Sequence, residues 1–176
     1  MIFNVAQLLR SPVGTSRQHH WKGEYEVLNR ELGLEGLVDG SVRMDRTNWG
    51  ILCTAMMTAD VRLQCSRCLE SFCEDLPIQL CEEFIPTVDV KTGLQTTGPG
   101  DPHDFTIDET HILDLTDAFR QYGLLSKPAQ PLCHAGCRGL CSSCGGNRNQ
   151  HQCNCSAEEI DPRLQTLQSW FNSNRE

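Results

Sequence analysis

The chain has 176 residues, enough to bury a core of its own, and its 15 Lys and Arg stand against 23 Asp and Glu for a net charge of -8. A field of that sign repels nucleic-acid backbones and anionic lipid, which disfavours a classical basic nucleic-acid binder. No apolar run approaches a membrane span, and the stretch from Met1 to Ser16, with Arg10 inside it, lacks the apolar segment of a secretory signal. The expectation is a cytoplasmic protein with no membrane partner. In that reducing setting the eleven cysteines remain thiols, and those that cluster point to metal ligation.

From Leu34 to Met44 apolar residues and glycines alternate with polar ones (Leu34, Gly36, Val38, Gly40, Val42, Met44), the period of a half-buried strand. Thr47, Asn48 and Gly50 supply turn chemistry. A second alternation then places Ile51, Cys53, Ala55, Met57, Ala59, Val61 and Leu63 on one face. After a turn at Cys65 to Cys68 a third run keeps Phe72, Leu76, Ile78, Leu80 and Phe84 in phase, with Pro77 on the opposite face. Short turns between such strands predict an antiparallel β-sheet, barrel-like in one reading.

Residues 86–104 hold Gly, Pro, Thr and Asp without apolar period and read as an exposed connection. The expected division is a β-rich domain over 1–105 and a second part over 106–176. Ile112, Leu115, Phe119, Tyr122 and Leu125 recur at helical spacing, with Asp114 or Thr116 as the cap and Pro128 as the stop. A terminal helix begins with Asp161 as cap and Pro162 at its first position, and its stripe of Leu164, Leu167 and Phe171 should dock on an apolar surface. The fold class is therefore α+β.

Between Cys133 and Cys155 the sequence reads CHAGCRGLCSSCGGNRNQHQCNC, too polar to build a core. Tetrahedral zinc held by thiolates supplies the folding free energy that such a segment lacks, in the manner of a zinc knuckle. Cys141 and Cys144 form the strongest pair, because the two-residue gap lets their sulfurs converge and Gly145 and Gly146 permit the tight turn. Cys65 and Cys68 in CSRC repeat the gap at a turn between strands. One ligand count assigns Cys65, Cys68, Cys133 and Cys137 to a first ion and Cys141, Cys144, Cys153 and Cys155 to a second, stapling the two halves of the chain. Another uses a single zinc drawn from the six C-terminal cysteines and leaves CSRC a reduced dithiol. His134 and His151 are alternative ligands. Cys53, Cys73 and Cys81 read as packing or surface thiols.

No catalytic constellation stands out. The sequence has no phosphate-cradling glycine loop and no His-Glu-x-x-His helix, and His19 and His20 lie near no nucleophile motif. Adjacent Glu82 and Glu83 point to opposite faces of a strand. A Cys-x-x-Cys redox pair belongs at a helix N-terminus, whereas CSRC has strand-like flanks, so thiol oxidoreduction is the weaker reading. A site closed by four thiolates leaves no position for reactive water. The expectation is a non-enzyme without a small-molecule substrate.

These residues resemble the bacterial large ribosomal RNA subunit accumulation proteins, the YceD family, which has relatives in chloroplasts. The resemblance rests on CSRCLESF at Cys65 to Phe72, KPAQPLC at Lys127 to Cys133, CRGLCSSCGGNRN with its trailing CNC, and DPRLQTL from Asp161. Arg148 departs from it, standing where an apolar residue is usual. What the resemblance implies is a non-enzymatic part in ribosome biogenesis, with a ribosomal protein, an assembly factor or the large-subunit ribosomal RNA precursor as partner. Two ions on eight thiolates would bring the net charge to roughly -12, which suits an acidic adaptor for a basic partner. A generic zinc-stabilised interaction module is the competing class.

Overall fold

Alternation of apolar and polar side chains makes long strands of the middle of the chain: β3 (Leu34–Arg46), β4 (Ile51–Gln64) and β5 (Ser71–Pro86). The computed structural model describes residues 1–23, 33–96, 105–155, 162–164, 166–167 and 170–171. On β4 every residue of the predicted inner face, from Ile51 through Cys53, Ala55, Met57, Ala59 and Val61 to Leu63, is buried. Val38, Val42 and Met44 of β3 and Leu76, Ile78, Leu80 and Phe84 of β5 join them in one apolar core. Arg46 fixes the β3–β4 turn, donating from Nη1 to the carbonyls of Thr47 at 2.6 Å and Gly50 at 2.8 Å.

Two further strands complete this sheet, β2 (Ser16–Gly23) and β6 (Thr106–Ile107), in the order β2-β3-β4-β5-β6. β2 runs antiparallel to β3, with Ser16 opposite Asp45, and β3 antiparallel to β4, with Arg46 opposite Ile51. Two expectations are corrected here. β6 pairs parallel to β5, Ile85 lying opposite Thr106, so the sheet is mixed at that edge. Nor does it close into a barrel: β2 and β6 stand at opposite ends of the strand order, and a two-residue strand offers too little backbone to close a cylinder.

A small sheet pairs β1 (Ile2–Asn4) with β7 (Ile112–Asp114), followed on each side by a helix: α1 (Ala6–Arg10) and α2 (Thr116–Ser126). Helix α2 buries Ala118, Phe119 and Gly123 and packs against β5. There the Tyr122 hydroxyl donates to Glu82 Oε1 at 2.7 Å, and this bond, with burial, pushes the phenol up to about 12. Thr116 N–H donates to Asp114 Oδ1 at 2.9 Å at the helix start, and Lys127, forced into extended backbone by the following Pro128, ends it. The helical pattern begins later than its apolar spacing predicts, because Ile112 belongs to β7, and Leu125 is 81% exposed. In the last segment Pro162–Leu164 form a 3-10 turn. The predicted apolar stripe is not buried: Leu164, Leu167 and Phe171 are all more than half exposed, and the proposed cap Asp161 lies outside the described residues.

The chain gathers into two compact units that do not follow its linear order. The first comprises Met1–Leu63 and Ser71–Pro131 and contains the sheets and the core; the second comprises Gln64–Glu70 and Leu132–Glu176.

Candidate metal centres

The second unit joins the CSRC turn to the C-terminal cysteine block, so cysteines more than sixty residues apart in the chain become neighbours. Its local geometry starts from two turns of the same form. In the first, Cys65 N–H donates to Glu70 O at 2.9 Å and Leu69 N–H to Cys65 O at 3.0 Å. In the second, Cys141 N–H donates to Gly146 O at 2.8 Å and Gly145 N–H to Cys141 O at 2.8 Å. Each turn aims its two thiols to one side. A pair alone is half a site, and each turn receives two further cysteines.

Cys65, Cys68, Cys133 and Cys137 bring their sulfurs within 4.8 Å of one another, as do Cys141, Cys144, Cys153 and Cys155. Cys65 Sγ lies 3.7 Å from Cys137 Sγ, and Cys68 Sγ lies 3.7 Å from Cys133 Sγ. Metal–sulfur bonds of about 2.3 Å in a tetrahedron set the sulfurs roughly 3.8 Å apart, which these two spacings match. Both groups can therefore hold a metal ion, with four soft donors each. The grouping is the two-ion alternative of the ligand count. His134 and His151, the alternative ligands, belong to neither group and are exposed.

The two groups differ in surroundings. In the first, Cys65, Cys68 and Cys137 are buried; in the second only Cys141 is, while Cys144, Cys153 and Cys155 are exposed. Backbone N–H groups prepare one sulfur in each for negative charge. The N–H of Cys133, helped by those of Cys68 and Arg67, draws the Cys65 thiol down to about 6 against burial. The N–H groups of Cys144 and Ser143 draw Cys141 down to about 6 in the same way. The other sulfurs are not alike: against burial, Asn149 and the Gly139 N–H hold Cys137 below its ordinary value, whereas burial pushes Cys133 up to about 12, and the adjoining thiols, Cys144 first, push Cys155 up to about 12. A bound cation counters those upward shifts, because it neutralises the charge that the extra thiolates bring.

Residues outside the cysteine pattern hold the first group in place. Asn149 Nδ2 donates to Cys137 Sγ at 3.3 Å while Asn149 Oδ1 accepts from Arg138 N–H at 2.8 Å. Arg67 Nη1 donates to Cys137 O at 3.1 Å, and Leu140 N–H donates to Arg67 O at 3.1 Å. The sequence pattern singles out neither role, because both interactions join segments far apart in the chain or across a turn. The thiols outside the groups behave as packing and surface residues: Cys53 is fully buried, and burial followed by the charge of Asp45 pushes its thiol up to about 12, while Cys73 and Cys81 are exposed. Among the described residues no helix is long and apolar enough to cross a membrane.

Searches of curated proteins and of solved structures find no match to this chain. A comparison with protein families matches residues 53–169 to the family described as large ribosomal RNA subunit accumulation protein YceD. That span is more than half of the chain and contains all eight clustered cysteines. The chain thus belongs to the YceD family of large ribosomal RNA subunit accumulation proteins.

Proposed function

We propose that this protein is a non-enzymatic, zinc-stabilised factor that supports the accumulation or processing of large-subunit ribosomal RNA in the cytoplasm, acting as an adaptor. The observation that carries the reading is that the family match encloses both cysteine groups. Zinc suits them because a d¹⁰ ion accepts tetrahedral thiolate ligation with no geometric preference of its own and no redox step. Its place is structural. Four thiolates fill the coordination shell and leave no position for an activated water, while the polar loops gain from the metal the cross-links that an apolar core would otherwise supply.

The net charge of -8 supports an adaptor whose main surface meets a basic ribosomal protein or assembly factor. Thiol oxidoreduction is less well supported, since CSRC occupies a turn between β4 and β5 rather than a helix N-terminus, and its sulfurs face two further cysteines. Depleting the protein from its host cell and profiling ribosomal RNA tests the reading. Large-subunit RNA should fall relative to small-subunit RNA; an unchanged ratio would leave a zinc-stabilised interaction module without a ribosomal role.

A further inference from the structure

The chain segregates its charge. None of its 23 acidic residues falls between Asp117 and Glu158, yet that interval carries Arg120, Lys127, Arg138 and Arg148. Within the second unit Arg138 and Arg148 line a cleft of about 270 Å³ together with His151, Gln152, Cys153 and Asn154. Among the described residues no carboxylate lines it. Glu70, an acid of the same unit, is engaged elsewhere, accepting from Asn147 Nδ2 at 3.4 Å and Gln150 Nε2 at 3.3 Å.

The backbone beneath the cleft is firmly tied. Leu140 and Asn147 form an antiparallel bridge, Arg148 N–H donates to Gly139 O at 2.9 Å, and Arg138 N–H is held by Asn149 Oδ1. A turn follows in which His151 N–H donates to Asn147 O at 3.0 Å. Two arginines are thereby brought to one concave surface. Both side chains are exposed, and no ion pair engages either among the described residues. Their planar donor forks match phosphate oxygens, and the amides of Gln152 and Asn154 add neutral donors beside them.

The geometry points to a binding site for the phosphodiester backbone of RNA in this cleft, with Arg138 and Arg148 as the contacting residues. This deepens the ribosomal reading and rests on it: the acidic remainder of the chain would meet a basic protein while this cleft holds the RNA strand. Backbone binding without base readout suits a cleft whose charged groups are guanidiniums.

The test uses the full-length zinc-loaded protein and a short fluorescein-labelled oligouridylate, read by anisotropy over a series of salt concentrations. The Arg138→Gln/Arg148→Gln double variant should bind at least about tenfold more weakly, and its log–log salt slope should flatten by roughly 1.4, about 0.7 for each phosphate that is no longer neutralised. Lys91→Gln, which removes an exposed charge from the first unit, should change neither. Unaltered affinity and slope in the double variant overturn the proposal. So does loss of bound zinc in that variant, which would make the arginines counter-ions of the thiolates, and so does preference for tripolyphosphate over the oligonucleotide, which would assign the cleft to a free anion. These readouts are independent of the depletion experiment, so the cleft can fail while the ribosomal reading stands.

Discussion

Leu69 and Gly145 occupy the same position in the two cysteine turns: each lies four residues after the leading cysteine, and each adopts left-handed backbone, at φ 61° and 69°. Glycine takes that conformation freely, whereas a side chain crowds the carbonyl oxygen at a cost of roughly 1–2 kcal/mol. The CSRC turn therefore holds its metal-binding shape against a local preference. Leu69→Gly should relieve this strain and tighten metal binding at the first group by up to about tenfold, a gain that glycine's greater unfolded-state freedom partly offsets. Gly145→Ala, where an added Cβ meets open space, should weaken the second group by a similar factor through backbone strain alone. Competition with a chromophoric chelator measures both; equal affinities in the parent and the two variants would show that this strain does not reach the metal.

Gly139 presents a harder case. It has φ 69°, and a Cβ there would lie 3.0 Å from the Arg67 carbonyl oxygen and 3.3 Å from Arg67 Cβ. Backbone strain and crowding act together, so Gly139→Ala should cost more than Gly145→Ala, on the order of 2–4 kcal/mol, and should loosen the first group by displacing the CSRC turn. Metal retention by the two variants, compared under identical chelator, checks the order; Gly139→Ala retaining as much metal as Gly145→Ala contradicts it.

Burial orders the two groups kinetically. A chelator reaches Cys144, Cys153 and Cys155 from solvent, whereas Cys65, Cys68 and Cys137 must first be uncovered. Zinc release should be biphasic, with the fast phase abolished by Cys144→Ser and retained in Cys68→Ser. A single phase for the parent chain would show that the groups open together.

Much of this architecture is legible in the sequence. The inner face of β4 is predicted residue for residue because a strand buried on one side must alternate, and Leu76, Ile78, Leu80 and Phe84 follow the same rule. The paired cysteines announce themselves by spacing. What escapes notice is short or long-range. Val5, Leu8 and Leu9 enter the core around a five-residue helix too brief to show a period, and β6 and β7 contribute two and three residues held by pairing with distant strands. Leu125 continues the helical spacing but lies in the last turn of α2, one residue before the helix ends, and is exposed there, whereas the buried residues Ala118, Phe119 and Gly123 come earlier in the helix. Asn149 could be suspected only as a polar residue repeated in GGNRN, and Arg67 as the cation inside CSRC. Their roles depend on which turn the fold lays beside them.

The thiols give the metal-free protein an uncommon dependence on pH. Cys65 and Cys141 ionise near 6 in the folded chain against 9.0 ordinarily, so the stabilisation they bring is complete above about 9 and disappears as pH falls through about 6. Cys133 and Cys155, raised to about 12, act oppositely: their contribution is complete below about 9 and disappears as pH rises through about 12. The combined contribution of these four thiols peaks near pH 9. Ultraviolet thiolate absorbance of chelator-stripped protein should show two groups ionising near pH 6, and denaturant should move them up to the ordinary value. Ionisation of every thiol near 9 before denaturant is added would contradict the folded arrangement.

Whether thiolate-bound zinc shapes the C-terminal unit is decided by metal content under reducing conditions, measured together with intact mass in native mass spectrometry. Two zinc ions per chain are expected, one lost in Cys65→Ser/Cys68→Ser and the other in Cys141→Ser/Cys144→Ser. A chain that is purified under reducing conditions without zinc, or whose metal content ignores both pairs of substitutions, would contradict this.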